Sequence, residues 1–434
     1  MPLACTRLPV TPAATAATIA TADLQVGMFV HLDLGWMSHP FALSSFRIAD
    51  AGQIATIRSL GLSRVRWSPE RSDAAQLAAN DASAPEEAPA PVADAGTTPA
   101  PRTPAAAQQT AADRVERQYA EAARDWRAAT DLLQRDAVGA GQRYAALSRA
   151  LVTKMLGARE LSIRAVSAAP TEDACHALNV SVLALLMGRL CGLTQGELED
   201  LGTGALAHDI GKTELPPALH KADAHFTNAE LARWRDHVAR GVALGQRMGL
   251  APGALLVIGQ HHEHMDGSGF PLGIDGHRSS VPARVTALVD RYDGLCHPSK
   301  RTLPMTPHEA VSLLFSQGRR SYDPALLTTF VRMMGVYPPG SVVQLTDDRY
   351  AVVESVSASR PLKPKVLLHD GAALQIVDLA QDATLGIRRA LPAAQLPSAV
   401  RGQLMPARRA AWFFEAHDDA DDTDPPLLRA GPSH

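Results

Sequence analysis

The sequence predicts a mainly α protein, with a helical core between a small N-terminal α/β module and a short strand-rich C-terminal appendage. Three observations carry this. From about residue 170 to 335 apolar residues recur with a helical period, and Thr194 with Glu197 and Thr227 with Glu230 have capping-box spacing. Ahead of that region, LQVGMFVHLDL at 24–34 alternates apolar and polar residues as a strand does. After Pro338-Pro339-Gly340 the apolar runs shorten to SVVQL, YAVVESV, KVLL and LQIVDL, separated by turns.

Taken in order, residues 1–23 read as a disordered N-terminus. Residues 24–70 form the accessory module: the first strand, a short helix in IADAGQIATIRSL, a stop at Gly61 and a second strand ending at Trp67. Residues 71–112, rich in Ala, Pro, Asp and Thr with no apolar period, cannot bury a core and read as a linker. Residues 113–168 read as a helical lead-in of two charged helices, either a solvated spacer or a homodimer contact. The helical core spans 169–336, with HALNVSVLALLMGRL (176–190) apolar nearly all round and therefore central. The strand-rich appendage covers 337–395, and residues 396–434, with Asp418, Asp419, Asp421, Asp422 and Asp424, read as a disordered acidic tail.

Composition narrows the function. A chain of 434 residues allows two or three globular units, and 46% hydrophobic residues allow a sizeable core. A net charge of -3 argues against a DNA or RNA polymer or an anionic membrane as partner. Four cysteines without paired spacing fit a reducing compartment. Residues 1–22 lack a basic start and continuous apolar core, and the run Val182–Met187 ends at Gly188-Arg189, short of a bilayer span. A cytoplasmic protein with no transmembrane segment is expected.

The chemistry lies in scattered histidines and carboxylates. In the helix capped by Thr194, Leu198, Leu201 and Ala205 form the apolar stripe, and the same period carries His208 and Asp209 onto the inward face. A buried His-Asp pair is costly unless something satisfies it, and a cation does so directly. His237 lies in the helix opened by Thr227, His261-His262 end the apolar segment ALLVIGQ, His176 starts the central helix, and Asp290 ends ARVTALV. Alone, His176 or His237 reads as a satisfied or surface histidine, and Asp290 as a cap or ion-pair partner. Together they are a mixed nitrogen and oxygen donor set that suits divalent iron, manganese or zinc.

HDIGK (208–212) and HHEHMDGSGFP (261–271) resemble the defining motifs of the HD-GYP family, metal-dependent phosphodiesterases acting on cyclic di-GMP. HALNV, HVARG and ARVTALVDRYDGL keep the family's order around His176, His237 and Asp290, so the resemblance covers roughly 170–340. VGMFVHLD, GWMSHPF and VRWSPERS resemble the small domain of unassigned function that often precedes it. The resemblance implies a helical HD-type metallohydrolase core with His176, His208, Asp209, His237, His261, His262 and Asp290 as metal ligands and Asp209 as the bridge. Six or seven ligands exceed those of one catalytic zinc, so two divalent ions are implied, iron first and manganese next. Glu172, one turn before His176, either joins a third ion or is an exposed carboxylate favoured by the helix dipole.

The implied reaction is hydrolysis of cyclic di-GMP to linear pGpG, GMP or both, by in-line attack of a metal-activated water. Asp209 and Lys212 carry the catalytic roles, with Lys212 on a non-bridging phosphate oxygen; read locally, Lys212 is a lysine offsetting a helix dipole. Asp266, Gly267 and Gly269 shape the substrate cleft, and the Gly269-Phe270-Pro271 loop is where a GGDEF-type signalling partner would bind. Two departures stand out. Phe270 replaces the usual tyrosine and loses a hydroxyl. After Asp293-Gly294-Leu295 the two basic positions expected to grip phosphate fall on Ser299 and Thr302, with Lys300 and Arg301 beside them. They keep two alternatives open: a catalytically weak sensor or interaction module that binds metal and cyclic di-GMP, and a hydrolase of another cyclic dinucleotide.

Overall fold

A computed structural model describes residues 17–34, 39, 41, 45–73, 77, 104–166, 172–220, 225–298, 303–357, 359–369, 374–382, 384–404 and 411–417. They fall into two compact units, divided near residue 98.

In the first unit the alternating residues form an antiparallel sheet of β1 (Thr18–Ala20), β2 (Phe29–His31), β3 (Ser45–Arg47) and β4 (Arg64–Trp67), in the order β1-β4-β2-β3. Helix α1 (Ala51–Ser59) begins where Asp50 accepts from Gln53 N at 2.9 Å. It stops before Gly61, whose φ of 74° suits a residue without a side chain. Val30, Phe46, Ile48, Ile57 and Val65 form the core. The module thus starts earlier than residue 24. Thr18 pairs with Arg66, and a three-residue strand is too short to show a period in sequence.

The second unit opens with α2 (Pro104–Leu132) and α3 (Ala137–Gly157). The expected linker therefore ends by Pro104, and the lead-in is no solvated spacer. Tyr119, Tyr144, Leu147, Leu151 and Met155 are buried, Trp126 Nε1 donates to Leu206 O at 2.9 Å, and Ser148 Oγ donates to Glu199 O at 2.8 Å. Alanine and a few large residues supply the inward stripe, which the average polarity of these segments conceals. Residues 160–166, expected as helix, form strand β5 (Glu160–Val166).

The core follows as α4 (Glu172–Leu190), α5 (Gln195–Ala207), α6 (Asn228–Arg235), α7 (His237–Arg247), α8 (Pro252–Gln260), α9 (Val281–Cys296), α10 (Pro307–Gln317) and α11 (Pro324–Met334). Helix α4 is buried from Ala174 to Gly188 apart from His176, as its all-round apolarity requires. Capping boxes form at Thr194–Glu197, Thr227–Glu230 and Thr306–Glu309.

Strands β6 (Val342–Leu345), β7 (Tyr350–Ser357), β8 (Lys365–His369), β9 (Leu374–Asp378) and β10 (Ile387–Leu391) continue the chain. They form the expected strand-rich C-terminal region, and its sheet reaches beyond it. The sheet runs β10-β6-β7-β5-β11, with β8 also on β7 and β9 on β8. It therefore includes β5 from ahead of the core and β11 (Ala411–His417) from the expected tail. Helix α12 (Ser398–Leu404) lies between. Residues 396–404 and 411–417 thus correct the expectation of a disordered segment; the acidic run 418–424 lies outside the described residues. Among the described residues no helix is long and apolar enough to cross a membrane.

Candidate metal centre

Four helix ends, one turn and the interior of α9 bring the donors together. Helix α5 ends at His208, and the chain tightens into a 3-10 turn over Ile210–Glu214 that leaves Asp209 between them. Gly211 makes this possible: a Cβ there would sit 1.9 Å from His237 O, so only glycine lets the turn close onto the start of α7. His261 and His262 follow α8, His176 lies in the first turns of α4, and Asp290 is in α9.

The side chains form two groups that share Asp209: His176, His208 and Asp209 in one, and Asp209, His237, His261 and His262 in the other. The carboxylate faces both ways. Its Oδ2 lies 3.4 Å from His176 Nε2 and 3.5 Å from His208 Nε2. Its Oδ1 lies 3.4 Å from His237 Nε2 and 3.9 Å from His261 Nε2. Asp290 also divides, with Oδ1 3.3 Å from His176 Nε2 and Oδ2 3.8 Å from His262 Nδ1.

The imidazole protons are placed by their partners. His208, His237 and His261 direct Nδ1 at the carbonyls of Ala205, Trp234 and Ile258, at 2.7, 2.6 and 2.8 Å. A carbonyl only accepts, so each Nδ1 carries the hydrogen and each Nε2 presents a lone pair. His176 directs Nδ1 at Asp293 Oδ2, 2.7 Å away, which likewise turns its Nε2 toward the centre. The inward nitrogens crowd together: Nε2 of His176 and His208 are 3.1 Å apart, and those of His237 and His261 3.4 Å. Among the described residues, buried Asp209 Oδ1 and His262 Nε2 have no hydrogen-bond partner. Lone pairs converging on orphaned oxygen and nitrogen fit a bound cation in each group.

Electrostatics agree. Burial, reinforced by neighbouring imidazoles, pushes His261 well below its ordinary value; burial also lowers His237 and takes His262 down to about 3. Against its own burial, Asp209 is held well below the carboxylate range by Lys212 and His208. Lys212 Nζ lies on Asp209 Oδ2, inside the site and not at a helix end facing solvent.

Glu172 heads α4 but belongs to neither group. Asp266 is taken up by Ser268 and by Arg320, whose Nε is 3.0 Å away. Gly267 supplies a turn at φ 72°, and Gly269 packs so tightly that a Cβ would lie 2.4 Å from His262 O. These three build the loop that aims Phe270, which stacks on His262 with ring centroids 4.5 Å apart. Trp234, 5.3 Å from His262 and 5.4 Å from Phe270, completes that wall. Sequence reading missed Trp234 and Asp293; each stands three residues from a candidate ligand, the one available signal. Lys300 and Arg301, with Ser299 and Thr302, lie outside the described residues.

Two family models match, "Domain of unknown function (DUF3391)" over residues 17–142 and "HD domain" over 143–326. Residues 143–326 thus match the HD domain and residues 17–142 the domain of unknown function. The "Cyclic di-GMP phosphodiesterase PA4108" of Pseudomonas aeruginosa is 27% identical over 215 residues, 48% of this chain and 51% of that protein. The "Cyclic di-GMP phosphodiesterase response regulator RpfG" of Xanthomonas campestris is 29% identical over 156 residues, 35% of this chain and 41% of its own. The "3'3'-cGAMP-specific phosphodiesterase 2" of Vibrio cholerae is 28% identical over 165 residues, 38% and 32% respectively. The chain thus spans about half or less of the length of these relatives. The matches bear out the HD-GYP resemblance and the mainly helical HD-type fold.

Proposed function

We propose that the chain is a metal-dependent phosphodiesterase that hydrolyses cyclic di-GMP to linear pGpG, GMP or both. The observation that carries this is the shared Asp209, one oxygen toward each histidine group. His176, His208, Asp209 Oδ2 and Asp290 Oδ1 would hold one divalent ion, and Asp209 Oδ1, His237, His261 and His262 the other. Mixed imidazole and carboxylate donors favour iron, then manganese. When bound, such a pair supplies Lewis acidity toward a phosphodiester and lowers the pKa of water.

The protein's own groups do the rest. Burial disfavours a proton on His237, His261 and His262, and the bonds at Nδ1 turn Nε2 of His176, His208, His237 and His261 toward the centre. Lys212 balances the charge of Asp209 and presents an ammonium to a non-bridging phosphate oxygen. Trp234 and Phe270 wall the His262 side with apolar surface, which keeps bulk water from that flank. Lys300 and Arg301 are the proposed grips for the second phosphate.

A second reading, hydrolysis of 3′3′-cGAMP, is favoured by the similarity to the Vibrio cholerae enzyme. Anaerobically prepared chain loaded with ferrous or manganous ion, given either dinucleotide, separates the two. Turnover of cyclic di-GMP is expected, falling to background in Asp209→Ala with an unchanged far-UV circular dichroism spectrum. Turnover of 3′3′-cGAMP alone establishes the second reading, and tight binding of cyclic di-GMP without turnover leaves a sensor module.

A further inference from the structure

His176 differs from the other histidines of the centre. His208, His237 and His261 are held by carbonyls three residues back in the chain, whereas His176 depends on a chain of side chains that ends far away in sequence. Asp293, 1% exposed, takes His176 Nδ1 on Oδ2. Its Oδ1 accepts from Asn179 Nδ2 at 2.7 Å and lies 3.0 Å from His297 Nδ1. Asn179 is fully buried, and its Oδ1 accepts from the main-chain N of Trp412 at 3.0 Å. Trp412 cannot drift. Its indole donates to Pro339 O at 3.0 Å, its ring lies against Tyr292, and β11 pairs with β5 along all seven residues.

The direction of each bond is forced. The Trp412 N–H can only donate, so it selects the Asn179 orientation with Oδ1 toward the strand. That turns the NH2 toward Asp293, an ionised carboxylate that can only accept. With the amide reversed, NH2 would meet N–H and oxygen would meet carboxylate oxygen. A carboxylate fixed behind an imidazole fixes the ring and raises the basicity of the outward nitrogen. We propose that Asn179 and Asp293 are positioning residues for His176, and that the C-terminal strand, through the Trp412 main-chain amide, orients them and so forms part of the first cation group.

This rests on reading the histidine groups as a metal centre, and the test keeps the two apart. Manganese titration of the full chain by calorimetry, with metal counted after dialysis, gives two ions in the wild type. Asn179→Ala is expected to weaken one ion about 10–100-fold and leave the other within twofold. Asp293→Asn, which keeps the side-chain volume but sets its NH2 against either the Asn179 NH2 or the His176 N–H, is expected to do the same and carries the test should the alanine variant not fold. Trp412→Phe keeps the main-chain N–H and is expected to bind both ions as the wild type does. Two ions bound with wild-type affinity in Asn179→Ala and Asp293→Asn, or both ions weakened equally, would overturn the proposal. One ion lost in Trp412→Phe would overturn the role given to the main-chain amide. A wild-type chain that binds no divalent ion sinks the metal reading and this proposal with it.

Discussion

His208, His237 and His261 each commit Nδ1 to a carbonyl of their own segment, so folding alone decides which nitrogen faces the centre. That order has a cost in acid. His237, His261 and His262 are all shifted below 6.5 by burial, His262 to about 3. Below pH 6.5 each takes a proton in the unfolded chain and not in the folded one. The unfolded state then binds more protons, and stability falls as pH falls. His176 is shifted upward: burial opposes the shift, and the carboxylates of Asp209, Asp290 and Asp293 outweigh it. Its contribution is complete below 6.5 and is lost only as pH rises, so it does not offset the others. Urea titrations of the metal-free chain should show stability dropping between pH 6.5 and 4.5, with a slope of up to about 1.4 kcal/mol per pH unit for a histidine that stays neutral when folded. A flat profile over that range would refute the neutral assignment.

The loop after α8 is held by a residue that the motif does not advertise. Glu263 is buried, and its carboxylate accepts from Leu272 N at 2.7 Å and Ile274 N at 3.0 Å, closing the segment that carries Gly269 and Phe270. Glu263→Ala removes two charge-assisted bonds and strands two amides, so a loss of about 2–3 kcal/mol is expected in the urea midpoint. Glu263→Gln, which keeps one acceptor, should lose less. Local order was legible here. The capping boxes at Thr194 and Thr227, the HDIGK turn and the His261-His262 pair are short-range patterns, and each lies where its spacing says. Glu263 was not legible, because a glutamate beside two histidines looks like surface charge until the loop folds back over it. The same holds for Asp293 and Asn179, whose partners come from other elements.

Across the second unit, the sheet joins segments that sequence cannot connect. Strand β5 precedes the helical core and β11 follows it, and Arg164 reaches Glu415 across 251 positions. AWFFEAH beside an acid-rich run reads as tail because its hydrogen-bond partner is so remote; pairing of that range carries no local signature. Arg164 ties three strands together. Its Nε and Nη2 contact Glu415 Oε2 at 2.8 and 2.6 Å, and its Nη1 meets Glu354 on β7. Burial pushes Glu354 upward, whereas Arg164 overcomes the same burial at Glu415 and holds it low. Arg164→Met leaves two buried carboxylates facing each other without their guanidinium, and a loss of about 3–5 kcal/mol is expected in urea unfolding. Combining it with Glu354→Leu and Glu415→Leu removes the stranded charges, and apolar packing should restore most of that stability. If the triple variant is no more stable than Arg164→Met, the cost lies in lost strand pairing and not in uncompensated charge. Manganese binding by the single variant then shows whether loosening β11 also loosens the centre it supports.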